Sequence, residues 1–262
     1  VRRNVLSTPR DVRVFPAPDW EIYRNFNVGT IGASTTGNAN GFDDGGSATV
    51  YTTEQVFAGA QAAKSTISPN QSGTFNFGGW ITRYPSNFFR GDSVWFQGYY
   101  YVPASFFFGI PRIKFLRFGT RSPSVSNQGF VDTYINPLAT PSSTYDIIYE
   151  GDQSSGDPWT PAGPAATIDR DRWIRINKHV VFDNLSTNNG GMARVRLWQD
   201  GVLLADKTDR RTLVDLDSFS SQFLNFTYWN GENAPQVQSL YIDELRLAKN
   251  GIPLWAADLQ GV

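Results

Sequence analysis

The feature that most constrains this chain is a period of two. In Val94-Trp95-Phe96-Gln97-Gly98-Tyr99-Tyr100-Tyr101-Val102, Val94, Phe96, Tyr100 and Val102 form one apolar row. Trp95, Gln97, Tyr99 and Tyr101 form the other, as expected of a strand whose side chains alternate between faces. Short runs of this kind recur along the chain, separated by clusters of Gly, Pro, Asn and Ser, and no helical stripe lasts beyond a turn or two. Strands are predicted near 47–52, 61–67, 74–82, 94–102, 111–118, 129–135, 145–150, 172–183, 193–199, 202–207, 221–229 and 239–248. Asp200-Gly201 reads as a two-residue hairpin turn, because glycine takes positive φ without cost. Residues 29–46 read as a long loop, and 151–171, with Pro158, Pro161 and Pro164, as a loop forming one wall of a groove. The pattern predicts an all-β fold of two antiparallel sheets.

The 262 residues suit one sandwich domain over 19–262. A 40% hydrophobic and 18% charged composition supplies a core and excludes a disordered chain. A net charge of −1 with no basic stripe argues against nucleic acid as a partner. The basic cluster Arg2, Arg3, Arg10 and Arg13 falls in residues 1–18, an arm punctuated by Pro9, Pro16 and Pro18 that is expected to pack on a sister subunit or a larger assembly. No run approaches the roughly 20 apolar residues of a membrane helix, and no apolar stretch of a signal peptide follows Val1-Arg2-Arg3-Asn4. The absence of cysteine removes disulfides, thiolates and sulfur-bound metals, and leaves the compartment open. Among 19 Phe, 11 Tyr and 8 Trp, most rings are expected in the core, but exposed Trp and Tyr offer flat faces for a sugar ring.

The C-terminal half carries an ordered set of elements: the Trp-led run Trp173 to Asn184, then Arg194-Val195-Arg196-Leu197-Trp198-Gln199-Asp200-Gly201, then Phe223 to Asn230, then Leu240-Tyr241-Ile242-Asp243-Glu244-Leu245. This order resembles concanavalin A-like lectin/glucanase jelly rolls, and most of all the jelly-roll polysaccharide lyases of the glucuronan, alginate and heparin lyase-like families. Trp95–Val102 followed by Lys114-Phe115-Leu116-Arg117-Phe118 resembles paired strands of the same lyases. The acidic E-x-D-x-x-E strand of the related β-glucanases is missing, so a retaining glycosidase with two carboxylates about 5 Å apart is not read here. The resemblance implies β-elimination on an anionic, uronate-containing glycan, and an extracellular, virion-surface or cell-surface location.

Elimination needs a cation or amide on the carboxylate, a base for the C5 proton and an acid for the leaving oxygen. Lyases of this fold combine Tyr, His, Gln or Asn, and Arg or Lys. Tyr228 and Asn230 resemble the catalytic end of the alginate lyase F-K-A-G-x-Y-x-Q strand, with Leu224 and Phe226 in place of its Lys and Gly. Gln97, with Trp95, Tyr99 and Tyr101, reads as a sugar platform holding an amide, or as an aromatic ladder under a covering loop. Lys114 and Arg117 are the candidate cations, but a regular strand puts them on opposite faces, so joint action requires a bulge. His179, the single histidine, is the imidazole candidate for the base; its row, with Trp173, Arg175 and Asn177, lines either the groove or the outer surface. No cofactor is expected. A structural Ca²⁺ at Asp243 with Glu21, or at Asp43-Asp44, has only generic carboxylates behind it.

A second reading has a different class: a non-catalytic structural or glycan-binding protein of a virion or cell surface, anchored by residues 1–18. A third is a free-standing carbohydrate-binding module.

Overall fold

The computed structural model describes residues 15–44, 49–69, 78–107, 113–122, 125–137, 143–150, 160–161, 166–183, 193–210, 212, 219–224, 227–228 and 236–262. Of the arm, residues 15–18 are described; Pro16 accepts a hydrogen bond from the Ile252 N–H at 2.9 Å.

The period-2 runs become strands: β1 (Trp20–Arg24), β2 (Thr49–Thr52), β3 (Ala62–Ile67), β4 (Trp80–Ile81), β5 (Ser93–Tyr101), β6 (Ile113–Ser122), β7 (Val125–Pro137), β8 (Ser143–Glu150), β9 (Thr160–Pro161), β10 (Trp173–Val181), β11 (Ala193–Gln199), β12 (Val202–Arg210), β13 (Phe219–Leu224), β14 (Thr227–Tyr228) and β15 (Gln238–Lys249). The described helical structure is one 3₁₀ turn at Leu254–Ala256. β1 was not expected from the sequence. Asp200 and Gly201, at φ 50° and 87°, turn β11 into β12 as the hairpin reading required.

Two antiparallel sheets result. The first runs β12-β11-β10-β5-β15-β3-β2, with β1 also on β15; the second runs β4-β13-β6-β7-β8-β9, with β14 also on β6. The core lies between them. Val94, Phe96 and Tyr100 of β5, Ile174, Ile176 and Val180 of β10, and Ile242, Leu245 and Leu247 of β15 meet Ile113, Phe115, Leu116 and Phe118 of β6 and Val131 of β7. Phe96 meets Phe118 and Tyr100 meets Phe115, with ring centroids 6.3 and 4.7 Å apart. The core parity read from Val94–Val102 is therefore the observed one.

A second, smaller cluster sits on the far side of the first sheet. There Trp95 and Trp198 are buried under Ala256 and Leu259 of the C-terminal segment. Indole N–H groups tie the cover down: Trp95 Nε1 donates to the Gly251 carbonyl at 2.7 Å and Trp198 Nε1 to that of Gln260 at 2.8 Å.

Candidate functional site

Among the described side chains, the candidate residues do not converge. They divide between the outward faces of the two sheets, because β5 and β10 are neighbours in one sheet and β6 belongs to the other.

On the first sheet, Trp95, Gln97, Tyr99 and Tyr101 do share a face, opposite His179, Asn177, Arg175 and Trp173 respectively. At its Trp95 end the row is a ladder under a cover. Trp95 is 1% exposed. Phe57 stacks on Tyr99, with centroids 3.8 Å apart, and Tyr101 packs edge-on against Trp173 and Tyr241. Gln97 Oε1 accepts from Asn177 Nδ2 at 3.3 Å.

His179 lies on this face, but neither in a groove nor in solvent. Its ring stacks on Trp95 at 3.8 Å, and its Nδ1 faces Arg196 Nη2 at 2.9 Å. Burial, and then the positive charges of Arg196 and Arg194, hold the imidazole well below its ordinary value. An unprotonated Nδ1 facing a guanidinium is an acceptor already in use. As placed, His179 does not meet a substrate unless the C-terminal segment moves.

On the second sheet the geometry is different. Lys114 stands opposite Tyr134, but Leu116 stands opposite Thr133, so Phe115 is an inserted residue and β6 bulges there. The bulge sends both Phe115 and Leu116 into the core and turns Lys114 and Arg117 onto one face. The requirement set by the sequence for their joint action is thus met.

Arg117 donates from Nε to both Asp132 oxygens at 3.0 Å and from Nη2 to Oδ2 at 2.6 Å. The Tyr134 hydroxyl lies 3.5 Å from the same Nη2. Burial lowers the Arg117 guanidinium, but the Asp132 charge outweighs it and the net displacement is upward, so the group stays cationic. Lys114 and Tyr134 are 6% and 2% exposed, so any charge here acts with little water to screen it.

Tyr134 and Asp132 were not singled out from the sequence. Their signal is the adjacent apolar pair Phe115-Leu116 between two cations, which marks a bulge and hence the face shared with β7. The backbone of Tyr228 pairs with Ile113, beside Thr227 on Lys114; its side chain, and Asn230 entirely, lie outside the described residues.

Two of the four carboxylates considered for Ca²⁺, Asp243 and Asp43, accept hydrogen bonds. Asp243 accepts from the Phe57, Ala58 and Glu244 N–H groups; burial pushes its carboxyl up to about 7 despite those donors. Asp43 accepts from Thr82 and Arg83 and pairs with Arg24. Among the described residues, no three acidic or imidazole groups gather as a metal site.

No protein-family model matches the chain, and no curated protein matches it. Solved structures do. Alginate lyase Aly36B, in a complex with alginate trisaccharide, is 15% identical and superposes with a TM-score of 0.65 over 88% of this chain and 98% of its own. The marine PL-14 alginate lyase from Aplysia kurodai is 11% identical, with a TM-score of 0.61 over 90% and 100%. The endo-β-1,4-glucuronan lyase from the fungus Trichoderma reesei is 16% identical, with a TM-score of 0.54 over 88% and 95%. At these identities the likeness is one of architecture, and the chain has the jelly-roll β-sandwich fold that these polysaccharide lyases share.

Proposed function

We propose that the protein is a polysaccharide lyase that cleaves a uronate-containing glycan by β-elimination at the outward face of the second sheet. The observation that carries this reading is the bulge at Phe115, which places Lys114, Arg117 and Tyr134 together. Two cations beside a phenol are what elimination asks for. The cations hold the uronate carboxylate and stabilise the charge that develops as the C5 proton leaves. The C5–H electron pair becomes the C4–C5 double bond, the glycosidic C4–O bond breaks, and the leaving oxygen takes a proton. The Tyr134 phenol, beside Arg117, serves the two proton transfers, taking the C5 proton and returning a proton to the leaving oxygen. Asp132 acts as a positioning residue, fixing the Arg117 fork through its bidentate pair.

A uronate substrate is supported by Lys114 standing beside the Arg117–Asp132 pair, whose own charges offset, and by the alginate and glucuronan named for structures of the same fold. A glycan of this kind is met outside the cell or at a virion or cell surface. No helix among the described residues is long and apolar enough to cross a membrane.

One observation favours the second reading, a non-catalytic glycan-binding or structural protein: Lys114 and Tyr134 are enclosed. One assay decides between the two. An unsaturated product absorbs near ~235 nm, because its double bond is conjugated with the carboxylate; a binding protein makes none. Glucuronan, alginate and other polyuronates are offered in turn. Rising absorbance with one of them is the expected result. A flat trace with all of them, alongside measurable binding, establishes the second reading.

A further inference from the structure

The covered face of the first sheet holds a cavity that the lyase chemistry does not use. Its volume is about 380 Å³, and Phe57, Gln97, Tyr99, Arg175, Arg246 and Trp255 are among its lining. Sites for small molecules run from about 300 to 1,000 Å³. The floor is β5. Arg175 on β10 stands opposite Tyr99, and Arg246 on β15 stands opposite Gln97. The two guanidinium stems therefore flank β5 on either side, two strand spacings apart across it and two residues apart along it, about 12 Å in all. The 3₁₀ turn at Leu254–Ala256 and Asp258 form one wall, and the Phe57 ring stacked on Tyr99 forms another.

One buried polar atom here lacks a partner: the Nε of Arg246 has no hydrogen bond among the described residues. Beside it on the floor, Gln97 is 4% exposed and its Oε1 accepts from Asn177. A buried unpaired donor carries a desolvation cost that a ligand acceptor removes.

The charges decide what kind of ligand. Arg175 pairs with Asp258 at 2.8 Å, and Arg246 lies 3.8 Å from Glu244. Two cations and two carboxylates leave no net charge for an anionic sugar. They leave donors and acceptors side by side, which suits hydroxyl groups, since each donates and accepts at once. Phe57, Tyr99 and Trp255 add aromatic surface for the C–H faces of a sugar ring.

We propose that this cavity is a second glycan site, which takes one neutral pyranose residue of an oligosaccharide and lies on the opposite side of the sandwich from the Lys114–Arg117 face. The site does not rest on the lyase reading, and either stands if the other fails.

The test is titration calorimetry of the intact chain with neutral cello-, xylo-, manno- and galacto-oligosaccharides, and with an oligouronate for comparison. At least one neutral oligosaccharide binds. Leu254→Trp, at a rim position 91% exposed, blocks the mouth without touching the core and weakens that binding tenfold or more. Gln97→Leu removes the floor donor and does the same, and melting curves of both variants verify the fold. Lys114→Ala, on the other sheet, leaves the neutral-sugar binding unchanged. The proposal is overturned if no neutral oligosaccharide binds, if binding is confined to the oligouronate, if Leu254→Trp and Gln97→Leu bind as the parent does, or if Lys114→Ala abolishes the binding.

Discussion

Replacing Lys178 with methionine stabilises the protein at neutral pH. Lys178 occupies a core-facing position of β10, between Ile176 and Val180, and is fully buried. Its ammonium donates to the Val131 carbonyl at 2.7 Å and lies 4.5 Å above the Phe118 ring. Burial lowers its pKa from 10.5 to about 7, with only the Asp132 charge opposing. At about 1.4 kcal/mol for each tenfold change, and with half of the folded groups already neutral at pH 7, that fall amounts to about 4 kcal/mol. Losing the bond to the Val131 carbonyl returns about 1–3 kcal/mol of this, so Lys178→Met gains about 1–3 kcal/mol at pH 7.

The pH dependence follows from linkage. Between pH 7 and 10.5 the unfolded chain carries a proton on Lys178 that the folded chain has released, so parent stability rises with pH by up to about 1.4 kcal/mol per unit. The methionine variant lacks this rise. Urea unfolding followed by tryptophan fluorescence at pH 7, 8 and 9 measures the gap between the two. The gap narrows as pH rises. A variant less stable than the parent at pH 7, or a gap that does not change with pH, refutes the reasoning.

Three further outcomes are expected. His179, the single histidine, shows no titration in its proton NMR signals across the ordinary imidazole range; because the unfolded chain takes up a proton below about pH 6.5 that the folded chain refuses, stability falls as pH drops through that value. Asp183→Ala strands the buried Arg90 paired with it at 2.5 Å, removes the acceptor of the Thr212 N–H, and costs about 3–5 kcal/mol in denaturant unfolding. Gly41→Ala places a methyl group 2.1 Å from the Thr35 carbonyl oxygen, a backbone atom that cannot rotate away, and lowers stability by about 1–3 kcal/mol or more.

The strands were legible because each buries one parity: Val94–Val102 and Trp173–Val181 announce both their period and their core face. Three things were not legible, each for a physical reason. A bulge adds a residue without altering composition, so Ile113–Phe118 read as a regular strand keeps Lys114 and Arg117 apart. Which strands share a sheet depends on long-range pairing, so nothing local separates the β5 row from the β6 cations. The cover over Trp95 and His179 comes from Ala256 and Leu259, in a turn-rich segment with no period of its own. Lys178 was available to a stricter reading, since it sits on the core parity of β10.

The central claim is that elimination chemistry belongs to the second sheet, and turnover of paired variants tests it most directly. On whichever polyuronate yields absorbance near ~235 nm, Lys114→Met and Tyr134→Phe should each lower kcat by about 10²–10⁴-fold, the usual cost of losing a positioned acid–base or charge-stabilising group. His179→Gln, on the first sheet, and Leu254→Trp, in the 3₁₀ turn that covers it, should stay within a few-fold of the parent. The reverse pattern, with full turnover in Lys114→Met and Tyr134→Phe and loss in His179→Gln, would contradict the account.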